Sequence, residues 1–301
     1  MLSIASGMDH LKVECVCPAN AVLAEGPNWD AETQTLLWVD IETGKLCELN
    51  PRDGSNNVWE LGAKVGCAIN LQGSADILAG TQKGLARVSR ASGKIEFLGH
   101  PEAHLPENRF NDGKCDSRGR LWVGTMSMAE APGGGSLYRV TGGWKIDRMV
   151  EGVTISNGLA WSADDRVMYY IDSPTRRVDA FDFDAGAGTV SNRRTIIHLP
   201  EGMGYPDGMC IDVEGKLWVA IWGGSCVARW DPATGKLVGK IAVPVRDVTS
   251  CCFGGPALDE LYITTASRDL DTAGRQAMPL AGGVFRVKPG VKGTAATRFA
   301  W

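Results

Sequence analysis

The sequence predicts an all-β fold, a six-bladed β-propeller with four antiparallel strands in each blade. A short apolar phrase occurs six times in the 301 residues, at intervals of 40, 44, 48, 48 and 44 residues. Its copies are LWVD at Trp38, ILAGT at Leu78, LWVGT at Trp122, YYID at Tyr170, LWVA at Trp218 and LYIT at Tyr262. The phrases lie in alternating apolar and polar positions, which indicate strands, and no window has a convincing helical period. Self-similarity at this interval is typical of stacked supersecondary units.

Each repeat divides into four strand-like runs separated by turn residues. In the fifth repeat, the runs GMCIDV, LWVAIW, CVARWD and LVGKIAV are separated by EGK, GGS and PATGK. The second repeat divides in the same way into CAINLQ, DILAGT, GLARVS and KIEFLG. Six units of four strands predict a closed propeller, which we favour over a pair of long β-sandwiches.

The two ends of the chain predict how the ring closes. The segment LKVECVC, residues 11–17, is a spare strand before the first repeat, and we expect GVFRV and TRFAW to supply strands at the end of the last repeat. An N-terminal strand that completes the last blade would remove an open sheet edge. No linker or low-complexity segment interrupts the repeats, so we expect a single domain over residues 1–301.

Composition restricts the class of partner. The formal net charge is −4 without a basic tract, which argues against binding to nucleic acid or to an acidic membrane surface. The first ten residues lack the features of a signal peptide, and no run approaches the roughly 18 apolar residues of a membrane span. Nine Cys without a C-x-x-C pair indicate reduced structural thiols. We therefore expect a cytoplasmic protein without membrane or nucleic-acid partners.

Polar residues recur 10 to 13 residues before the apolar phrases, where the innermost strand of each blade would begin. The residues at this position are Glu25, Gly66, Asn111 with Asp112, Asn157, Asp207 and Ser250. Asn-Gly and Asp-Gly are common turn pairs, but these pairs open a strand, and Glu25 is a poor turn residue.

Equivalent positions of all blades meet at the central channel. Carboxylates that converge there would repel one another and resist ionisation unless a cation neutralised them. The repeat therefore predicts a metal site with oxygen ligands, which suit Ca²⁺, Mg²⁺ or Mn²⁺. Arg109 lies two residues before Asn111 and could hold a hydroxyl-rich or oxyanionic ligand with its donor fork. The alternative for Arg109 is a solvated loop arginine.

Several segments resemble the signature segments of the senescence-marker-protein/gluconolactonase/regucalcin family. They are AEGPNW, NRFNDGKCD, GRLWVGTM, GSLYRV, SNGLAWSAD and YPDGMCID. Near the end of the chain, FGGPALDELYITTAS and PLAGGVFRV are similar to the last blade of bacterial sugar lactonases. The resemblance spans nearly the whole chain. It implies a six-bladed propeller that hydrolyses aldono-lactones, small-molecule sugar lactones, with one divalent metal ion (Ca, Mn, Mg, Zn or Fe).

The resemblance also implies roles for individual residues. Glu25, Asn157 and Asp207 would ligate the metal, and Asp207 would also be the general base. Arg109 and Asn111 would bind the sugar lactone, with Asp112 beside them. In some members of the family a Glu after GTM contacts substrate, and Glu130 does not fall in register with it. The alternative hypothesis is a non-catalytic propeller that binds Ca²⁺ or a protein partner.

Overall fold

The computed structural model describes Met8 and residues 11–301. This part of the chain forms six four-stranded antiparallel sheets, which confirms the predicted six-bladed β-propeller. The first blade consists of β2 (Ala24–Asp30), β3 (Thr35–Asp40), β4 (Lys45–Leu49) and β5 (Asn56–Glu60). The second consists of β6 (Val65–Asn70), β7 (Ile77–Thr81), β8 (Gly84–Val88) and β9 (Ile95–Gly99). The third consists of β10 (Asn108–Cys115), β11 (Leu121–Ser127), β12 (Gly135–Thr141) and β13 (Lys145–Val153).

The last three blades repeat this plan. The fourth blade consists of β14 (Ser156–Trp161), β15 (Val167–Asp172), β16 (Arg177–Asp184) and β17 (Thr189–His198). The fifth consists of β18 (Tyr205–Ile211), β19 (Leu217–Trp222), β20 (Cys226–Asp231) and β21 (Lys236–Ala242). The sixth consists of β22 (Asp247–Gly254), β23 (Glu260–Ala266), β24 (Val284–Val287) and β1 (Glu14–Cys17). The first strands of the blades, β2, β6, β10, β14, β18 and β22, pack against one another in a closed ring. They are the inner strands that surround the channel.

Strand β1 completes the sixth blade, as the sequence predicts. It pairs antiparallel with β24, with Glu14 opposite Arg286 and Cys15 opposite Phe285. Arg286 Nη2 lies 3.0 Å from Glu14 Oε2, so an ion pair accompanies the strand pairing. Closure therefore joins the two ends of the chain within one sheet.

The prediction that TRFAW supplies a strand to the last repeat is wrong. Phe299 makes an isolated parallel bridge to Leu71 in the second blade, is fully buried and stacks on Trp144 with ring centroids 5.6 Å apart. Because β1 already pairs with the edge of β24, the tail cannot take the fourth-strand position of the sixth blade. It runs instead across the end of the channel where the inner strands finish, and bridges Asp212 through Gly293.

The repeated phrase around Trp combines a hairpin turn with a core aromatic residue. In the third blade, Asp116 accepts hydrogen bonds from the backbone N–H of Arg118 and Arg120 and from Trp122 Nε1, the last at 2.9 Å. In the fifth blade, Asp212 binds Trp218 Nε1 at the same distance. Each acid thus accepts hydrogen bonds from the backbone of its turn and from the Nε1 of a buried indole, an atom that usually has a hydrogen-bond partner when buried.

Aromatic side chains fill the space between neighbouring blades. Trp218 of the fifth blade packs against Phe253 of the sixth with ring centroids 5.8 Å apart. Trp29 of the first blade stacks on Tyr262 of the sixth at 5.3 Å. Contacts of this kind add to the energy of buried area and hold each sheet against the next. The inner strands are thereby fixed relative to one another.

Helices contribute little to the described residues. The one α-helix there is α1 (Thr272–Ala277), between β23 and β24. It is six residues long, far below the length of a helix that could cross a membrane, and no other helix in this part of the chain meets that requirement.

Candidate metal and substrate site

Every inner strand carries a register irregularity where the predicted site residues lie. The shifts occur between Glu25 and Asn28, Val65 and Cys67, Phe110 and Gly113, Asn157 and Leu159, Pro206 and Met209, and Val248 and Ser250. A β-bulge leaves a residue outside the ladder and changes the direction of its side chain. The Asn-Gly and Asp-Gly pairs therefore mark bulges at the channel.

Five of the six predicted site residues line one cavity of about 520 Å³ at this end of the channel. They are Glu25, Arg109, Asn111, Asn157 and Asp207. All five are buried, with no more than 7% of each residue exposed. Asp112 is buried as well but does not line the cavity. Its Oδ1 accepts a hydrogen bond from the backbone N–H of Gly113 at 2.8 Å.

A chain of hydrogen bonds connects the third, fourth and fifth blades around the cavity. Arg109 Nη1 donates to Asn111 Oδ1, and Asn111 Nδ2 donates to Asn157 Oδ1 at 3.0 Å. Asn157 Nδ2 donates to Ser173 Oγ at 2.8 Å, and Ser173 Oγ donates to the carbonyl of Pro206 at 2.6 Å. Pro206 immediately precedes Asp207, so the network fixes the side chains that converge on the cavity.

The carboxyl groups of the site are placed in a poor environment for negative charge. Burial raises the pKa of Glu25, and the charge of Asp112 raises it further. Burial also raises the pKa of Asp207 well above its ordinary value, with Glu25 and Asp112 adding to the effect. Arg109 opposes this effect on both groups, and burial lowers its own pKa to about 10. Arg109 therefore stays charged at neutral pH, but it lowers the pKa of Glu25 and of Asp207 by less than burial raises them.

The donor set suits a hard divalent cation. Glu25 and Asp207 contribute carboxylate oxygens to the cavity, and Asn157 Oδ1 has a lone pair left after accepting from Asn111. Within the described residues, no three His, Cys, Asp or Glu side chains form a metal-binding group. A metal ion in this cavity would need amide as well as carboxylate oxygens. Oxygen ligands of this kind bind Ca²⁺, Mg²⁺ or Mn²⁺.

Residues 23–267 match the family described as SMP-30/Gluconolactonase/LRE-like region. The chain belongs to this family. Among its SMP-30/gluconolactonase relatives is the regucalcin of Xenopus laevis, which is 38% identical over 97% of this chain and 100% of the relative. The regucalcin of Oryctolagus cuniculus is 40% identical over 95% of this chain and 97% of its own length. The resemblance that the sequence suggested is thus confirmed.

Two solved structures have the same architecture as this chain. A luciferin-regenerating enzyme is similar with a TM-score of 0.91 and 36% identity, covering 97% of this chain and 100% of that one. A calcium-binding protein, regucalcin, from Agrobacterium tumefaciens has a TM-score of 0.92 and 28% identity over 97% of this chain and 98% of its own.

Sequence reasoning missed several residues around the cavity. Ser173 orients Asn157, and Trp222 and Arg268 line the cavity entrance. None of these residues belongs to the repeated motif, since all three follow or end the second strand of a blade. Glu130, which falls out of register in the sequence, also lines the cavity. Its carboxylate lies 3.3 Å from Arg268 Nη2.

Proposed function

We propose that this protein hydrolyses sugar (aldono-) lactones to the corresponding aldonic acids with the help of one divalent metal ion. The observation that carries the proposal is the cavity at the channel end. Two buried carboxylates, two amides and a buried arginine converge there from four different blades. Membership of a family described by the name gluconolactonase supports the same activity.

Glu25, Asn157 and Asp207 would hold the metal ion through their side-chain oxygens. When bound, the ion would polarise the lactone carbonyl and stabilise the negative charge that develops on its oxygen. It would also supply the positive charge that these buried carboxylates lack, and so keep Asp207 ionised at neutral pH. The ionised form is the one that can accept a proton.

Asp207 is then the general base. It takes a proton from the attacking water while the water oxygen adds to the carbonyl carbon. The ring C–O bond breaks, the ring oxygen gains a proton to become a hydroxyl, and the product is a hydroxy acid. Arg109 and Asn111 hold the substrate oxygens. Asn111 Nδ2 already donates to the carbonyl of Ser156 at 2.7 Å and to Asn157 Oδ1 at 3.0 Å, so Asn111 would accept from a substrate hydroxyl through Oδ1 while the remaining N–H groups of Arg109 donate. The hydrogen bond from Arg109 to Asn111 sets the direction of both side chains before substrate enters, which reduces the ordering cost of binding.

The alternative is a non-catalytic propeller that binds Ca²⁺. A similar protein from Agrobacterium tumefaciens is described as calcium-binding, and the donor set proposed above is compatible with that cation. A calcium-binding scaffold has no need of a buried arginine beside an open cavity, whereas a lactone site does. We therefore favour the enzyme.

A lactone panel distinguishes these two functions. Purified protein is stripped with a chelator, and the hydrolysis of aldono-1,4- and 1,5-lactones is followed with a pH indicator. Ca²⁺, Mn²⁺, Mg²⁺, Zn²⁺ and Fe²⁺ are then added back singly. We expect hydrolysis that chelation removes and at least one ion restores. Stoichiometric metal binding without hydrolysis of any lactone would refute the enzyme and favour the scaffold.

Substitutions assign the roles. Asp207→Asn retains an oxygen ligand but cannot accept the proton, so kcat should fall at least about 10²-fold even when the variant is saturated with metal. Arg109→Ala should mainly raise KM. Asp247→Asn is the matched control, because Asp247 is a buried acid at the start of inner strand β22 outside the cavity. Near wild-type kcat in metal-saturated Asp207→Asn would contradict the general-base role.

A further inference from the structure

An ion pair bridges the entrance of the cavity. Arg268 Nη2 lies 3.3 Å from Glu130 Oε1, and both residues line the cavity. Glu130 follows β11 of the third blade and Arg268 follows β23 of the sixth. These blades stand on opposite sides of a ring of six. The pair therefore reaches across the entrance, while Glu25 and Asp207 lie deeper at the inner strands.

Arg268 is free to exchange its partners for a ligand. Its Nε lies 3.4 Å from Asp269 Oδ1, and both of its carboxylate partners are nearly half exposed, 46% for Glu130 and 49% for Asp269. Exposed ion pairs of this length contribute little to stability, so substrate oxygens can replace them at low cost.

Trp222 keeps the guanidinium in place during such an exchange. The guanidinium carbon of Arg268 lies over the Trp222 ring, 5.6 Å from its centroid. Stacking on an aromatic face orients the planar group without using its N–H donors. Those donors consequently remain available to the cavity, which Trp222 also lines.

The backbone at Glu130 adopts a left-handed conformation, as it does at eight other non-glycine positions of the described chain. Glu130 has a φ of 54°, a left-handed conformation that costs free energy in a residue other than Gly. Its N–H donates to the carbonyl of Ser127 at 2.9 Å in a tight turn. This turn places the Glu130 carboxylate opposite Arg268.

We propose that Arg268 is a specificity-determining residue that hydrogen-bonds the hydroxyl groups of the lactone at the end farthest from its carbonyl. This inference rests on the proposed function. With the carbonyl held near Glu25, Asn157 and Asp207, the remaining ring substituents extend to the entrance. There the guanidinium fork of Arg268 donates to neighbouring hydroxyl oxygens in place of Glu130 and Asp269. Arg268 therefore strengthens the binding of hydroxylated lactones and not of unsubstituted ones.

Two lactones with the same ring test this assignment. D-Glucono-1,5-lactone carries hydroxyl groups, and δ-valerolactone has none. In Arg268→Ala, KM for the gluconolactone should rise about tenfold or more, as expected for lost hydrogen bonds to a charged group. KM for δ-valerolactone, kcat for both lactones and metal affinity should stay within about twofold of wild type. Arg268→Lys keeps the charge without the fork and should give an intermediate KM.

Arg193→Ala is the matched control. Arg193 Nε lies 2.7 Å from Asp179 Oδ2, and its guanidinium carbon lies 5.6 Å from the centroid of the Phe181 ring. Its side chain is 33% exposed, similar to that of Arg268. It lies on β17, the outer strand of the fourth blade. This variant should leave KM for both lactones unchanged, and melting temperatures establish that all variants fold.

The outcomes separate the inference from the function on which it rests. If wild type hydrolyses both lactones and Arg268→Ala changes KM equally for the two, or for neither, the specificity role is overturned and the enzyme stands. If metal-loaded wild type hydrolyses no lactone, the proposed function fails and the inference falls with it.

Discussion

Replacing Gly66 with alanine should damage the site through the backbone of a neighbouring blade. Gly66 lies at the bulge of inner strand β6. A Cβ at this position would lie 2.3 Å from the carbonyl oxygen of Phe110 and 2.6 Å from that of Asn111. Both atoms belong to inner strand β10, which also carries Arg109. The methyl group can be accommodated only if the two strands move apart.

The size of this movement sets the expected loss. Ordinary contacts of a Cβ begin near 3.4 Å, so the strands must separate by about 1 Å, a displacement that can reduce catalysis about 10²-fold. We therefore expect kcat/KM for the best lactone of the panel to fall by that factor. Overpacking should also lower the free energy of unfolding by about 1–3 kcal/mol.

Activity assays and urea unfolding of Gly66→Ala measure the two effects. Gly142→Ala is the matched control, since a Cβ there would have no neighbour closer than 3.8 Å and Gly142 lies far from the cavity lining. The control should retain wild-type activity. If Gly66→Ala retains wild-type kcat/KM and stability, the close approach of β6 and β10 does not position Arg109 and Asn111 as argued.

Three further predictions concern the metal site and the tail. In metal-free protein, burial raises the pKa of Glu25 to about 8 from an ordinary 4.5. Between these two pH values the folded chain therefore binds more protons than the unfolded chain. The free energy of unfolding should consequently fall as the pH rises from 4.5 to 8. Urea unfolding at pH 5 and 8 should show a smaller fall in Glu25→Gln and in metal-loaded protein, and an equal fall in all three would contradict the reasoning. Titration calorimetry should find that Asn157→Ala weakens metal binding less than Asp207→Ala, because it removes a neutral ligand and not a charged one; the reverse order would exclude this ligand set. Phe299→Ala should lose about 3–5 kcal/mol of unfolding free energy, and a loss below about 1 kcal/mol would show that the stacking on Trp144 contributes little to stability.

The fold was predictable because each blade carries its own local signals. Asp116 with Trp122, and Asp212 with Trp218, define a hairpin and a core position within a few residues. The tail was not predictable in this way. The β-branched and aromatic residues of TRFAW suit a strand, but whether they form one depends on which sheet edge is free, and β1 already occupies the edge of β24. The segments that could pair with this edge lie near opposite ends of the chain, so no local sequence pattern indicates which of them does.

Residues of the candidate site were likewise predictable only where they occupy a repeated position. Glu25, Asn157 and Asp207 were found because the repeat places them at equivalent positions, although their roles remain predictions. Arg268 and Glu130 are separated by 138 residues and meet only because the ring brings the third and sixth blades face to face. Their loops occur once each, so no repeat marks them. Loops that occur only once commonly carry the binding residues of a protein whose scaffold is repeated.

Closure of the sixth blade by β1 has a consequence for how the chain folds during synthesis. Glu14 and its partner Arg286 are 272 residues apart, so at ordinary translation rates of about 5–20 residues per second β1 emerges from the ribosome roughly 14 to 54 s before β24. Throughout that interval, an outer strand exists without its sheet. Pairings at such separation also slow folding itself. Once formed, the same pairing closes the ring, so that no blade can separate until the circle opens. The native state should consequently unfold slowly and resist proteases for long periods, a kinetic persistence that its equilibrium stability alone would not predict.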